Sequence, residues 1–131
     1  MKIIAIDLGL KRIGLAYSPD AKIVSPLTAV ERKNRNQAAL EVKSVIDEWQ
    51  VEAVVVGIPM GGSSEDEMRR RVEHFMKLVD FKGKIYFQDE SNSSQEAETL
   101  IKGEIRYKRD GRIDSIAALI ILERFLNSKV L

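Results

Sequence analysis

The segment Ala53–Ile58 is a continuous apolar run without a polar side chain. A run this short and rich in β-branched Val is typical of a strand that is buried on both faces. Such strands occur where helices cover both sides of a sheet, so the run predicts a three-layer α/β protein. The chain has 131 residues, 44% of them hydrophobic, which is enough for the core of one domain spanning residues 1–131.

The rest of the chain contains four more strand patterns and four helix patterns. The leading strands follow one another through short links, which favours antiparallel pairing, whereas the later strands alternate with helices, which favours parallel pairing. We therefore predict a mixed five-stranded sheet flanked by helices. The other predicted strands are Lys2–Ile6, Ile13–Ser18, Ile23–Val30 and Lys84–Gln88, and the predicted helices are Asn36–Trp49, Ser64–Val79, Ser93–Ile101 and Ile113–Leu126.

Several side chains in the helical patterns have a structural interpretation. Ser64 with Glu67 forms a capping-box pattern, and Trp49 continues an apolar stripe that indicates a core position. The run Arg69–Arg71 has acidic neighbours, so we expect a solvated face with ion pairs. We expect His74, on the same helix, to be a surface or packing residue.

The composition excludes several kinds of chemistry. There is no Cys and a single His, so disulfides, thiolate metal sites, cysteine nucleophiles and His-rich metal sites are excluded. A formal net charge of +1 is too small for nucleic-acid binding by overall charge alone. No apolar stretch approaches the ~20 residues that span a membrane, and no signal-peptide pattern follows Met1. We expect a soluble, cytoplasmic protein whose chemistry depends on carboxylates, hydroxyls, Lys, Arg or metal ions.

Three acidic residues stand at the ends of predicted elements. Asp7 closes the first strand, Glu90 follows the Lys84–Gln88 strand, and Asp114 opens an otherwise apolar helix. Each could be a capping or turn acid, but the carboxyl ends of strands lie where α/β proteins form their sites. Carboxylates that are brought close together repel and need a cation, and an all-oxygen ligand set favours Mg²⁺ or Mn²⁺. Two such ions, about 4 Å apart, could clamp a phosphodiester for hydrolysis.

The segments around these acids resemble a known family. Asp7–Ala16 is similar to the Asp-x-Gly-x-Lys-Arg-x-Gly-x-Ala motif of the YqgF/RuvX family, and three later segments, Val55–Pro59, Asp89–Glu90 and Ile113–Ala118, resemble its later motifs in order. Sugar kinases and actin-like ATPases share Asp-x-Gly, but four motifs in order along nearly the whole chain are specific. The segment Ser91–Ser94 departs from the family, which has Arg and then Leu-Thr after its Asp-Glu pair.

The resemblance implies a ribonuclease H-like fold and a metal-dependent endonuclease. Asp7, Glu90 and Asp114 match the family's metal ligands and would be both the catalytic and the metal-binding residues. The cofactor would be Mg²⁺ or Mn²⁺, as two ions. The first substrate that the family suggests is the 5′ end of pre-16S rRNA during ribosome biogenesis, and the second is a four-way Holliday junction in DNA recombination and repair. A resolvase would act as a homodimer, but the sequence leaves monomer and homodimer open.

Basic residues are concentrated near the candidate ligands despite the small net charge. Lys11 and Arg12 follow the first acid in a tight turn, and we expect them to contact phosphate. Tyr107, in a charged loop before Asp114, could stack on a base or ribose. Further nucleic-acid contacts are predicted for basic residues of that loop: Arg106, Lys108, Arg109 and Arg112.

Two rival functions have some support in the sequence. The altered Ser91–Ser94 segment would suit a non-catalytic nucleic-acid or protein interaction module with the same fold, although the three acids argue against it. The Asp7-Leu8-Gly9 start would suit an actin-like ATPase, but that fold closes two such domains around its nucleotide, and this chain is too short for two.

Overall fold

The computed structural model describes residues 1–91, 95–97, 99 and 111–128. The predicted helix Ser93–Ile101 includes residues 95–97 and 99, which are helical, and its other residues lie outside the described ranges. The strands are β1 (Ile3–Leu8), β2 (Arg12–Ser18), β3 (Ser25–Glu31), β4 (Ala53–Ile58) and β5 (Lys84–Asp89), and the helices are α1 (Arg35–Glu48), α2 (Glu65–Val79) and α3 (Gly111–Ser128).

The strands of the described residues form one mixed sheet in the spatial order β3-β2-β1-β4-β5. β2 pairs antiparallel with both β1 and β3. β4 pairs parallel with β1 on one side and with β5 on the other. The predicted mixed α/β sheet is therefore confirmed, and the carboxyl ends of β1, β4 and β5 lie at the same edge.

Apolar side chains cover both faces of the central strands. On one face, Ile4 and Ile6 of β1 belong to a core cluster with residues of α1 and α2, such as Val42 and Phe75. On the other face, Ile3 and Ala5 pack with residues of α3: Ala118, Ile121, Leu122 and Phe125. One face of β1 therefore packs against α1 and α2 and the other against α3, because successive side chains of a strand point to opposite sides.

Helix capping differs from the sequence expectation. Ser64 precedes α2 but makes no side-chain capping hydrogen bond, so the predicted capping box there is wrong. Glu65 accepts from the Gly61 amide at 2.8 Å, which satisfies a backbone donor near this helix start. A complete capping box occurs at α1, where the Asn34 side chain accepts from the Gln37 amide at 2.8 Å and the Gln37 side chain accepts from the Asn34 amide at 3.2 Å.

Trp49 lies at the C-terminal end of α1 and remains 40% exposed, so its predicted place in the core is wrong. Its ring packs against Tyr17, with the ring centroids 4.8 Å apart. The helix stripe ends before Trp49, because α1 ends at Glu48 and the chain turns at Gln50 with φ of 54°. Among the described helices, none is both long and apolar enough to cross a membrane.

Candidate active site

Asp7 lies near the carboxyl end of β1, on the sheet face that α3 covers. The strand continues to Leu8 because its antiparallel ladder with β2 extends to the Leu8–Ile13 pair. Asp7 is therefore inside the strand rather than after it. It is partly buried and follows the face of Ala5, which packs against α3.

Gly14 brings the start of α3 against this strand edge. It is the β2 partner of Asp7, and a Cβ at Gly14 would lie 1.9 Å from the carbonyl oxygen of Asp114. No side chain fits at that distance, so the absence of a Cβ permits the helix backbone to contact the sheet. The Ser115 hydroxyl then accepts from the buried Leu15 amide at 3.4 Å. This contact holds Asp114, in the first turn of α3, beside the end of β1.

Glu90 reaches the site from the far side of β4, the strand that lies between β1 and β5. It follows β5, and its amide donates to the Ile58 carbonyl at 3.0 Å, which extends the parallel pairing by one residue. A Cβ at Gly57 would lie 3.0 Å from the Glu90 Cβ and 3.2 Å from its Oε2. Glycine at this position of β4 therefore leaves room for the Glu90 side chain to lie over the sheet.

The carboxyl groups of Asp7 and Glu90 share a hydrogen bond. Burial raises the pKa of Glu90 to about 8, and the negative charge of Asp7 and its hydrogen bond contribute to this rise. Burial also raises the pKa of Asp7, a hydrogen bond from Glu90 lowers it, and the charge of Asp114 raises it. Glu90 is thus the partner that holds the proton at neutral pH, and the metal-free pair carries one negative charge fewer than its formal value.

Asp114 is near this pair but has a different neighbour. Its Oδ2 lies 3.9 Å from Arg12 Nη1, and Arg12 also contacts Glu31 through its Nε at 3.1 Å. Asp114 and Arg12 line a cleft of about 540 Å³ together with the β1–β2 turn, which includes Gly9 and Lys11. This cleft gives solvent and ligands access to the third carboxylate.

The donor set fits a divalent ion, although the side chains are not gathered around one point. All three candidate ligands are carboxylates, and burial raises the pKa values of Asp7 and Glu90, with a further rise from the charge of Asp114 on Asp7 and from that of Asp7 on Glu90. Within the described residues, no group of three or more acidic, His or Cys side chains is arranged as a preformed metal cage.

Arg124 is a site residue that sequence reasoning missed. From α3 it donates to the carbonyls of Asp89 at 3.2 Å and Ser91 at 2.9 Å, the residues on either side of Glu90. It also pairs with Glu96 at 2.8 Å. The one signal in the sequence was a basic residue in the last part of an otherwise apolar helix. Arg124 anchors the backbone that carries Glu90.

Asp89 differs from its neighbour Glu90 in both contacts and charge. Its Oδ1 accepts from the Ser91 hydroxyl at 2.8 Å, the Ser91 amide at 3.1 Å and the Met60 amide at 3.3 Å. These hydrogen bonds, those from Ser91 first, lower the pKa of Asp89. Asp89 therefore shapes the turn after β5, while Glu90 faces Asp7.

Some of the basic residues predicted to contact nucleic acid lie within the described residues, and the others lie outside them. Lys11 is exposed in the β1–β2 turn, Arg12 is partly buried in its ion pairs, and Arg112 is exposed in the first turn of α3. The remaining predicted residues, Arg106, Lys108, Arg109 and the stacking candidate Tyr107, lie outside the described residues.

Comparison with solved structures identifies the fold. The fold matches T. thermophilus RuvC in complex with a Holliday junction substrate, with a TM-score of 0.57 and 15% identity, covering 98% of this chain and 94% of that one. It also matches the fowlpox virus Holliday junction resolvase, with a TM-score of 0.58 and 14% identity, covering 98% and 100%. The chain therefore has the ribonuclease H-like fold that the motifs predicted.

The chain belongs to the RuvX family, as its motifs indicated. The family described as "RuvX: Holliday junction resolvase" matches residues 1–128. A relative from Sulfurimonas denitrificans is 70% identical over 129 residues, covering 98% of this chain and 99% of its own length. A relative from Helicobacter hepaticus is 41% identical over 133 residues, covering 97% and 96%. Both relatives are named as candidate pre-16S rRNA nucleases.

Proposed function

We propose that this protein is a metal-dependent endonuclease that hydrolyses phosphodiester bonds at the 5′ end of pre-16S rRNA. Relatives that share 70% and 41% of its residues carry the pre-16S rRNA nuclease name. The observation that carries the proposal is the hydrogen-bonded carboxyl pair of Asp7 and Glu90, with Asp114 close enough to raise the pKa of Asp7. Processing of a ribosomal RNA precursor would make the protein cytoplasmic.

Asp7, Glu90 and Asp114 would hold Mg²⁺ or Mn²⁺, as one ion or two. When bound, the ions would activate a water and stabilise the charge on the phosphodiester and its leaving oxygen. Asp7 and Glu90 would supply ligand oxygens after the shared proton has left Glu90. Arg12 restrains Asp114 through their ion pair, and Arg124 restrains the backbone of Glu90.

The cleft beside Asp114 gives the substrate a path to the carboxylates. Lys11 is exposed on its wall and is suited to a phosphate contact, because no carboxylate oxygen of the described residues lies within 4 Å of its ammonium. Arg12 lies on the same wall, but its charge is already shared with Glu31 and Asp114. Of the two, Lys11 is therefore the stronger candidate for attracting the phosphate backbone.

A four-way DNA junction is the second candidate substrate. The description of the matching family as a Holliday junction resolvase favours it. A resolvase cuts two strands symmetrically and would need a homodimer, whereas cleavage of one RNA strand needs one active site. Product symmetry therefore distinguishes the two substrates.

The test is cleavage of labelled pre-16S RNA and of a four-way junction with Mg²⁺, Mn²⁺ or EDTA. We expect RNA cleavage with either ion, none in EDTA, and a loss of at least about 100-fold in Asp7→Asn. The matched control Asp66→Asn changes an exposed carboxylate in the first turn of α2 and should cleave like the wild type. Cleavage of neither substrate by the wild type, or full activity in Asp7→Asn, would contradict the proposal and favour a non-catalytic interaction module.

A further inference from the structure

A second cleft, of about 350 Å³, lies between the start of α1 and the first half of α2. We name it the arginine cleft. Its walls include one arginine from the link between β3 and α1, one from the first residue of α1 and two from α2, with one histidine and one glutamate of α2: Arg32, Arg35, Arg70, Arg71, His74 and Glu67. Arg70 and Arg71 are exposed, as expected of a solvated face.

The positive charge of the arginine cleft is not neutralised by ion pairs. Among the described residues, none of its four arginines has a carboxylate oxygen within 4 Å, so the ion pairs expected for Arg70 and Arg71 are wrong. The neighbouring Arg69 does pair with Glu65, at 3.2 Å, and stacks on Phe87 with its Cζ 4.6 Å from the ring centroid. The consecutive arginines therefore separate into one that is structurally paired and two that face the cleft.

The guanidinium groups of the cleft are close enough to oppose one another. Burial lowers the pKa of Arg32, and the positive charges of Arg71 and Arg35 lower it further. Four clustered arginines against one glutamate in the cleft cost folding free energy, and a bound anion would reduce that cost. The cluster thus has the charge expected of an anion-binding site.

Two contacts fix the orientation of Arg32, Arg35 and His74 in the cleft. Arg32 Nη1 donates to the Gly9 carbonyl at 2.8 Å, and Arg35 Nη1 lies 3.3 Å from His74 Nε2. The Arg32 amide also donates to the Lys11 carbonyl at 2.9 Å. The β1–β2 turn therefore separates the arginine cleft from the cleft beside Asp114, which Gly9 and Lys11 also line.

The arginine cleft lies at the same end of β1 as Asp7 but on the opposite face. Leu8 lines the cleft and directly follows Asp7 in the strand. Successive side chains of a strand point to opposite faces, so a nucleic-acid strand that crosses this edge can meet both clefts. Different phosphates of one strand would then reach sites of different chemistry.

We propose that the arginine cleft binds a backbone phosphodiester of the substrate strand, away from the bond that is cut. The assignment rests on the proposed nuclease function for its substrate. Arginine suits this ligand because its planar donors match phosphate oxygens in pairs. The cleft's role is to hold and orient the strand while Asp7, Glu90 and Asp114 act on another phosphate.

The test compares two double variants that remove equal charge. Arg70→Gln/Arg71→Gln changes the two exposed arginines of the cleft. Lys77→Gln/Lys84→Gln changes two exposed lysines, one in the last turn of α2 and one at the start of β5. Fluorescence anisotropy with pre-16S RNA in EDTA measures binding without cleavage, and circular dichroism checks the fold of each variant.

We expect the arginine variant to weaken RNA binding about 10-fold. The slope of log affinity against log salt should become shallower by about 0.7 for each phosphate that the variant no longer neutralises. The lysine variant should stay within about 2-fold of the wild type, since it removes charge at positions outside the cleft. In cleavage assays the arginine variant should raise KM and leave kcat within about 2-fold. Equal affinities for the two double variants would overturn the proposal, as would a loss of kcat without a change in binding.

Additional ligands identify the occupant and separate this proposal from the nuclease assignment. Binding is measured in EDTA, so it tests the arginine cleft even if the wild type cuts no substrate. Saturable binding of inorganic phosphate that is absent in the arginine variant, with RNA affinity unchanged, would identify free phosphate as the ligand and overturn the proposal. Saturable binding of polyglutamate that is absent in the arginine variant, with RNA affinity unchanged, would also overturn the proposal and would assign the cleft to an acidic protein partner.

Discussion

Replacing Glu90 with Gln should stabilise the metal-free protein at neutral pH, although it removes a candidate ligand. The pKa of Glu90 is raised from 4.5 to about 8, so the folded chain keeps a proton that the unfolded chain has released. At pH 7, about 2.5 pH units above the unfolded pKa, this difference corresponds to at most about 3.4 kcal/mol of lost stability, at about 1.36 kcal/mol per pH unit. Glu90 is only partly buried, and solvent screening reduces the expected gain in Glu90→Gln to about 1–2 kcal/mol.

The direction of the pH dependence follows from the raised pKa. Wild-type stability should be greatest, with respect to this group, below pH 4.5, should fall as the pH rises from 4.5 to about 8, and should then level off. Glu90→Gln should remove most of this decline, while Asp7, whose pKa is also raised, contributes in the same direction in both proteins.

Urea unfolding in EDTA at several pH values between about 5 and 8.5 measures the effect. Trp49 is the single tryptophan and packs against Tyr17, so its fluorescence reports unfolding. Glu48→Gln, an exposed carboxylate at the end of α1, is the matched control and should not change the pH profile. A Glu90→Gln protein that is less stable than the wild type at pH 7, or that keeps the wild-type slope, would show that the raised pKa does not govern stability here.

Three further substitutions test contacts around the site. Gly14→Ala should lower stability by at least about 1–3 kcal/mol and abolish cleavage, because its Cβ would lie 1.9 Å from the Asp114 carbonyl oxygen; urea titration and the RNA assay measure both. Arg124→Gln should reduce kcat more than it raises KM and weaken Mn²⁺ binding, since it frees the backbone on both sides of Glu90; an unchanged Mn²⁺ affinity would contradict this role. Asn34→Ala should cost about 1 kcal/mol through loss of the α1 capping box without changing catalysis, as thermal unfolding with the cleavage assay would show.

The sequence predicted the architecture because the apolar patterns of its strands and its helices have clearly different periods. The apolar Ala53–Ile58 run is β4 with the predicted bounds, and short links between leading strands correspond to antiparallel pairing. Element ends were less accurate. Asp7 was expected to close its strand, but the ladder with β2 continues past it, and nothing in the local run Lys2–Ile6 reports where a partner strand ends.

Local sequence patterns predicted only part of the candidate site. Acids at strand ends led to Asp7 and Glu90, whose side chains do meet. Arg124 and the arginine cleft join segments that are distant in sequence: Arg124 reaches the turn after β5, and Arg32, between β3 and α1, lies near Arg71 of α2. Local charge patterns suggested ion pairs within one helix and contained no information about the neighbouring helix.

The proposed function depends on a metal site at Asp7 and Glu90 that holds a proton until an ion binds. Calorimetric titration with Mn²⁺ at pH 7, in buffers of different ionisation enthalpy, tests this site by counting the protons released on binding. We expect saturable binding with release of about one proton, less release above about pH 8.5, and loss of binding in Asp7→Asn. Binding that survives in Asp7→Asn, or that releases no proton at pH 7, would contradict it.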